Sequence, residues 1–190
     1  MPDVKNVSTG KPKVKGAIFA APIGTTLPTS ALSPLDSAFK ELGYTSDDGF
    51  TQNMTKESND IKAWGGDVVL SPQTDYSDGM TMTLIEVLNT DTLKVVYGED
   101  NVSGDLDSGI VVRANSNEAE NYSWVVDILM TGNVIKRIVV PTAKLKEMSE
   151  INYKDDEAVG FECTFQAFPY ADYDGDTHRE FIQKSGGVSE

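Results

Sequence analysis

The residues best equipped for chemistry in this chain are His178, Cys163, Trp64, Trp124 and the aspartates Asp172, Asp174 and Asp176. Nucleophilic catalysis needs a base beside the nucleophile, and His178 is the only histidine, set in a polar C-terminal stretch. No serine sits in a G-x-S-x-G elbow, no glycine loop matches G-x-x-x-x-G-K-[ST], and no H-E-x-x-H occurs. Carboxylate pairs are plentiful, but among 30 acidic residues neighbours arise by chance, and nothing singles out an acid/base couple. In "ADYDGDTH" the three aspartates alternate as calcium-loop ligands do. The position where such a loop needs glycine is Thr177, and the distal glutamate is missing near Gln183. A solvated acidic turn is expected there, and the chain is read as a non-enzyme with no metal and no cofactor. Cys163, the single cysteine, lies in the alternating run "GFECTFQAF" and reads as a small buried apolar residue. Trp64 and Trp124 have the surface to stack sugars or bases, yet each lies in a strand pattern where packing within or between subunits is the plainer role.

The glycine pair in "IKAWGGDVV" raises a further question. If Gly65 and Gly66 form a two-residue type I′ turn, both supply the positive φ it demands. Trp64 then pairs with Asp67, Ala63 with Val68, Lys62 with Val69, and Ile61 with Leu70. That register puts Ile61, Ala63, Val68 and Leu70 on one apolar face. Lys62, Trp64, Asp67 and Val69 fall on the other, a mixed surface suited to another protein.

The elements that position these residues are mostly strands. The chain has 190 residues, 39% hydrophobic and 24% charged, enough for one globular domain with arms at its ends. Residues 1–15 are polar and aperiodic and read as an N-terminal arm, 16–170 as the domain, and 171–190 as a C-terminal arm. "SPLDSAFKELG" predicts a helix, with Ser33 as N-cap, Pro34 at the first helical position, and Leu35, Ala38, Phe39 and Leu42 on one stripe. "NTDTLKVVYG" predicts a second, capped by Asn89 or Thr90 and ended by Gly98. Asp48-Gly49 signals a hairpin or tight turn, and turns at Gly132-Asn133 and "KDDEAV" join two further hairpins. In the last strong strand Phe161, Cys163, Phe165 and Ala167 share a face. The expected architecture is mainly β: an antiparallel β-sandwich or partly closed barrel of about eight strands with one or two flanking α-helices.

Net charge narrows the partners. Asp and Glu total 30 against 16 Lys and Arg, a formal charge of −14. Such a surface repels phosphate backbones, which disfavours a protein that grips DNA by neutralising them. No apolar run approaches the roughly 18 residues of a membrane span, and the N-terminal stretch has no apolar segment of a targeting kind. A protein made in the cytoplasm, with no membrane partner, is therefore expected.

The order "GYTSDDGFTQ", "KESNDIKAWGGDVV", "MTMTLIEVLNTDTLKVVYG" and "FECTFQAFPY" resembles the major tail protein, or tail tube protein, of long non-contractile-tailed bacteriophages, over roughly residues 13 to 175. The resemblance implies a β-sandwich subunit with a flanking helix. It further implies hexameric rings stacked into a hollow tube around a tape-measure protein, closed by tail terminator and tail-tip proteins, through which DNA passes without specific binding. It makes the region Thr45–Gly66 a candidate extended loop to an adjacent subunit or ring, with Trp64, Gly65, Gly66 and Asp67 as contact residues. Localisation would be the virion tail, after assembly in the host cytoplasm. A carbohydrate- or receptor-binding sandwich, and a capsid decoration protein, are the alternatives.

Overall fold

A computed structural model describes residues 1–13 and 16–186. Its strands, in chain order, are β1 (Gly10–Pro12), β2 (Ile18–Pro22), β3 (Lys40–Glu41), β4 (Thr45–Ser58), β5 (Ile61–Lys62), β6 (Val68–Leu70) and β7 (Gln73–Leu84). These are followed by β8 (Val102–Ser103), β9 (Val111–Val112), β10 (Asn121–Met130), β11 (Val134–Met148), β12 (Phe161–Ala167) and β13 (Arg179–Lys184). One α-helix, α1 (Thr90–Tyr97), interrupts them. Nine strands form a single antiparallel sheet in the order β3-β2-β10-β11-β12-β7-β4, with β1 also on β10 and β13 also on β11. The mainly β, antiparallel, sandwich-like architecture expected from the sequence is what the chain adopts.

The β10–β11 hairpin is the axis of the sheet. It turns at Gly132-Asn133, both at positive φ, as the Gly-Asn signal requires. Each strand changes partner along its outer edge: β10 pairs with β2 and then β1, β11 with β13 and then β12. A bulge in β11 at Pro141-Thr142 sits opposite Ser123 of β10, between the pairs Tyr122↔Ala143 and Trp124↔Val140. Pro141, which has no N–H for a ladder, is tolerated there, and Ser123 Oγ donates to its carbonyl at 2.7 Å.

Alternation along β10 splits its buried residues between two cores. Tyr122, Trp124 and Val126 join the main core with Ile18, Leu42, Met82, Ile138, Phe161, Cys163 and Phe165. Curling of the sheet brings the Phe165 ring within 4.3 Å of Trp124, centroid to centroid. Val125, on the opposite face, packs with Ala21, Phe39 and Val139 in a smaller core. Helix α1 covers the main core. Asn89 Oδ1 caps it by accepting from Asp91 N at 3.0 Å, Leu93 and Val96 are buried, and Tyr97 meets Phe161 edge-on. Gly98 ends the helix as its position predicts.

The helix expected from Ser33 to Gly43 is absent. Ser30 and Ser33 instead close a turn on one another, with Ser33 N donating to Ser30 Oγ and Ser33 Oγ to Ser30 O, each at 3.0 Å. Asp36 Oδ1 accepts from Ala38 N in a second local turn. Lys40 and Glu41 are extended, paired with Ala20 and Phe19. The apolar stripe is real but serves two cores: Phe39 enters the smaller one and Leu42 the main one. A helix would send both the same way, and one this short is marginal without tertiary support.

The stretches read as arms also contribute strands. β1 lies within residues 1–15 and β13 within 171–190. Residues 14, 15 and 187–190 of those stretches lie outside the described residues.

Trp124 is fully buried, so Trp124→Ala should cost about 3–5 kcal/mol in a chemical denaturation series. Burial, helped by the Glu162 charge, pushes the Cys163 thiol up to about 12. Alkylation at pH 8 should therefore be slow in the native protein and should follow unfolding.

Candidate functional site

The exposed feature with most structure is a long hairpin. Strands β4 and β7 stay paired from Phe50↔Met82 out to Ser58↔Gln73, and every residue from Asn53 to Asp75 is exposed. Asn53 to the tip at Gly65 spans about 40 Å at the rise of an extended strand. The region Thr45–Gly66, expected as an extended loop, is thus chiefly strand. Asp48-Gly49 makes no hairpin turn. It lies in a bulge of β4 between the pairs Thr45↔Leu84 and Phe50↔Met82, with Gly49 at φ 78°.

The ribbon has little to hold it beyond its ladder. Lys56 Nζ lies 5.8 Å from the centre of the Tyr76 ring, while Glu57 directly opposes Asp75, a like-charge pair that weakens the ladder. Further out, Asn59 N donates to Pro72 O at 3.0 Å and Ser71 Oγ to Asp60 Oδ1 at 2.7 Å. Two-stranded ribbons of this kind are marginal alone in water.

At the tip the turn is one residue longer than expected. Ala63 N donates to Asp67 O at 2.8 Å and Gly66 N to Ala63 O at 3.0 Å, so Trp64, Gly65 and Gly66 form a three-residue loop. Gly65 and Gly66 have φ 121° and 100°, and a Cβ at either would meet nothing within 4 Å. Their role is backbone conformation, not close approach. Lys62 pairs with Val68, a register shift follows, and Ile61 pairs with Leu70. Val68 therefore shares a face with Lys62, which corrects the expected separation into an apolar and a mixed face. Burial pins register only where one face meets a core, and this hairpin meets none. Trp64 is 107% exposed, with Ile61, Val68, Val69 and Leu70 exposed around it.

The other sequence-marked residues are elsewhere. Trp124 and Cys163 are core residues with no surface to offer. Asp174 and Asp176 each accept from Arg179 at 2.7 Å, and that guanidinium lies 3.9 Å over the Tyr173 ring. No cluster of three or more potential metal ligands occurs among the described residues.

Two buried polar groups were missed in the sequence. On the smaller-core face Arg137 Nε and Nη2 donate to Asp127 at 2.6 and 2.8 Å, and Arg137 Nη1 donates to the carbonyls of Ser30 and Ser33. Lys13 Nζ reaches Asp127 Oδ2 at 2.8 Å. Burial pushes the Asp127 carboxyl up, but the hydrogen bonds and charges of Arg137 and Lys13 outweigh it and hold it below the usual range. A signal was present: Asp127 and Arg137 each interrupt an apolar run, and the Gly132-Asn133 turn sets them opposite. At the arm's root, Asp78 Oδ2 accepts from Thr177 Oγ1 and His178 Nδ1, both at 2.5 Å, and Gln52 meets His178 Nε2 at 2.8 Å. No local pattern marks that group, because its members come from three distant segments.

A family model described as phage tail tube protein matches residues 13–185, which include both polar groups and the whole arm. No curated protein matches the sequence.

Removing one partner of a buried ion pair leaves the other uncompensated. Arg137→Met should therefore destabilise by about 3–5 kcal/mol, against less than about 1 kcal/mol for Lys13→Ala, whose side chain is partly exposed. Urea denaturation of the two variants checks the ratio.

Proposed function

The chain belongs to the phage tail tube protein family, and from that premise we propose that it is the repeating subunit of a tail tube, assembled as hexameric rings stacked around a tape-measure protein. The family gives a structural protein of the bacteriophage tail. The arm carries the proposal. A ribbon of about 40 Å that buries nothing in its own chain, tipped by a fully exposed tryptophan among exposed aliphatic residues, fits a subunit that completes its packing in an assembly.

Subunit polarity supports stacking. The arm leaves one end of β7, while β7 runs the other way to Leu84, α1 and the loops carrying Glu99, Asp100, Asp105 and Asp107. A subunit with two unlike ends makes heterologous contacts, which propagate a stack. In this reading Trp64, Gly65, Gly66 and Asp67 contact a neighbouring subunit or ring. Tail terminator and tail-tip proteins close the tube, and assembly takes place in the host cytoplasm.

The −14 charge suits a conduit. A wall that neutralised phosphates would create binding minima along the path of the DNA, whereas an acidic wall leaves the polyanion mobile. Charge reversal of wall-facing acids should slow ejection, and unchanged ejection would remove this element of the reading.

Negative-stain electron microscopy of concentrated protein tests the core of the proposal. Rings or tubes are expected, on their own or with tape-measure and initiator proteins. Monomers under every such condition would overturn it. Trp64→Ala should reduce assembly while leaving the stability of the monomer within about 0.5 kcal/mol of the parent. Sugar binding by a stable monomer through Trp64 would favour the carbohydrate-module alternative.

A further inference from the structure

The group at the arm's root lies apart from the tip, and its members belong to three parts of the chain. Asp78 is on β7 and Gln52 on β4, the two strands of the arm, and Thr177 and His178 precede β13, which is paired with β11 in the body. Asp78 and Thr177 are buried and His178 nearly so. Tyr76, also on β7, places its hydroxyl 3.1 Å from Thr177 Oγ1. Just beyond these residues the arm is solvated: everything from Asn53 to Asp75 is exposed.

We propose that Asp78, His178, Thr177 and Gln52 form a latch that fixes the direction in which the arm leaves the body, and that the proton on His178 sets how firmly it holds. They are positioning residues. Their bearing on assembly rests on the tube reading above, whereas the latch itself is a property of the single chain.

Gln52 shows why protonation matters. Its Nε2 lies 2.8 Å from His178 Nε2, an arrangement in which the amide donates to a neutral imidazole while Nδ1–H donates to Asp78. Once Nε2 also carries hydrogen, that amide must turn to offer Oε1. The charged ring then meets Asp78 as an ion pair. The other charges facing His178 are Glu180 of β13 and Lys136 of β11, which are themselves paired at 2.7 Å.

The hydrogen bond to Asp78 raises the His178 pKa above its ordinary 6.5, against the opposing effect of burial. Its contribution is therefore complete below pH 6.5 and is lost as pH rises through the folded value. Burial raises the Asp78 carboxyl, but its bonds from His178 and Thr177 together hold it below 3.8, so its contribution is lost only as pH falls through that lower value. The latch is firmest between the two.

NMR titration of the wild-type monomer tests this without any tube. The His178 ring should titrate above 6.5, with the amides of Gln52, Tyr76 and Asp78 moving at the same midpoint, and Asp78→Asn should lower that midpoint. Amide exchange at 52–57 and 73–77, corrected for its intrinsic pH dependence, should speed up through the transition. The gain should reach up to about tenfold for every pH unit that separates the folded midpoint from the ordinary histidine value. In His178→Gln, which keeps a neutral hydrogen-bonding group, the step should vanish. A His178 titration that leaves these amides and their exchange unchanged would overturn the latch. Tubes that form with the same pH profile from wild-type and His178→Gln protein would sever it from assembly while leaving the tube reading intact. A normal latch response in protein that never forms tubes would sink the tube reading alone.

Discussion

Asp127 and Arg137 face each other across the central hairpin, and two segments outside the long strands, at Lys13 and at Ser30–Ser33, are tied to them. The guanidinium holds the carbonyls of Ser30 and Ser33, which keeps the segment before β3 over the smaller core. The carboxylate holds Lys13, which keeps β1 on the edge of β10. Removing Asp127 would leave Arg137 buried without a carboxylate, and removing Arg137 would leave the buried Asp127 with only the partly exposed Lys13, a larger penalty than the pair's own net gain. The pair thus acts as a constraint on topology: it lets an apolar sheet carry a second layer of irregular chain on a face that would otherwise need another sheet or helix.

Hydrophobic burial does the remaining work on the opposite face. Trp124 and Phe165 pack against each other with their rings tilted by 54°, and α1 packs on the same core through Leu93, Val96 and Tyr97. The sheet does not close on itself. A cleft of about 550 Å³, lined by β1, β10 and the start of β2 on one side and by the Thr45–Phe50 part of β4 on the other, lies between strands that do not pair. The bulge at Gly49 bends β4 there, directly before the strand leaves the body as the arm. The body is therefore firm at its hairpin axis and least supported where the arm begins, which is where Asp78 and His178 sit.

Several features were legible because they are local. Asn89 and Gly98 bracket α1, Gly132-Asn133 turns the central hairpin, and the Phe161–Ala167 alternation marks an inward face. Each depends on residues within a few positions of one another. The segment from Ser33 to Gly43 misled for the same reason. Its caps and stripe are good local signals, but edge pairing of Lys40 and Glu41 with β2 and the division of Phe39 and Leu42 between two cores outweigh them. The hairpin tip misled differently: without a core to face, its apolar residues carried no register information.

Composition and pattern alone determined a mainly antiparallel β chain, acidic, with a helix at Thr90–Tyr97 and an exposed hairpin around Gly65-Gly66, because these follow from propensity, turn chemistry and alternation over short windows. Tertiary structure alone decided that β4 and β7 continue outward as one arm, that β13 returns to the body beside it, and that His178 meets Asp78 and Gln52. Those facts join residues up to 126 positions apart, and contacts at such separation are set by which strands share a sheet, a choice that no local periodicity encodes.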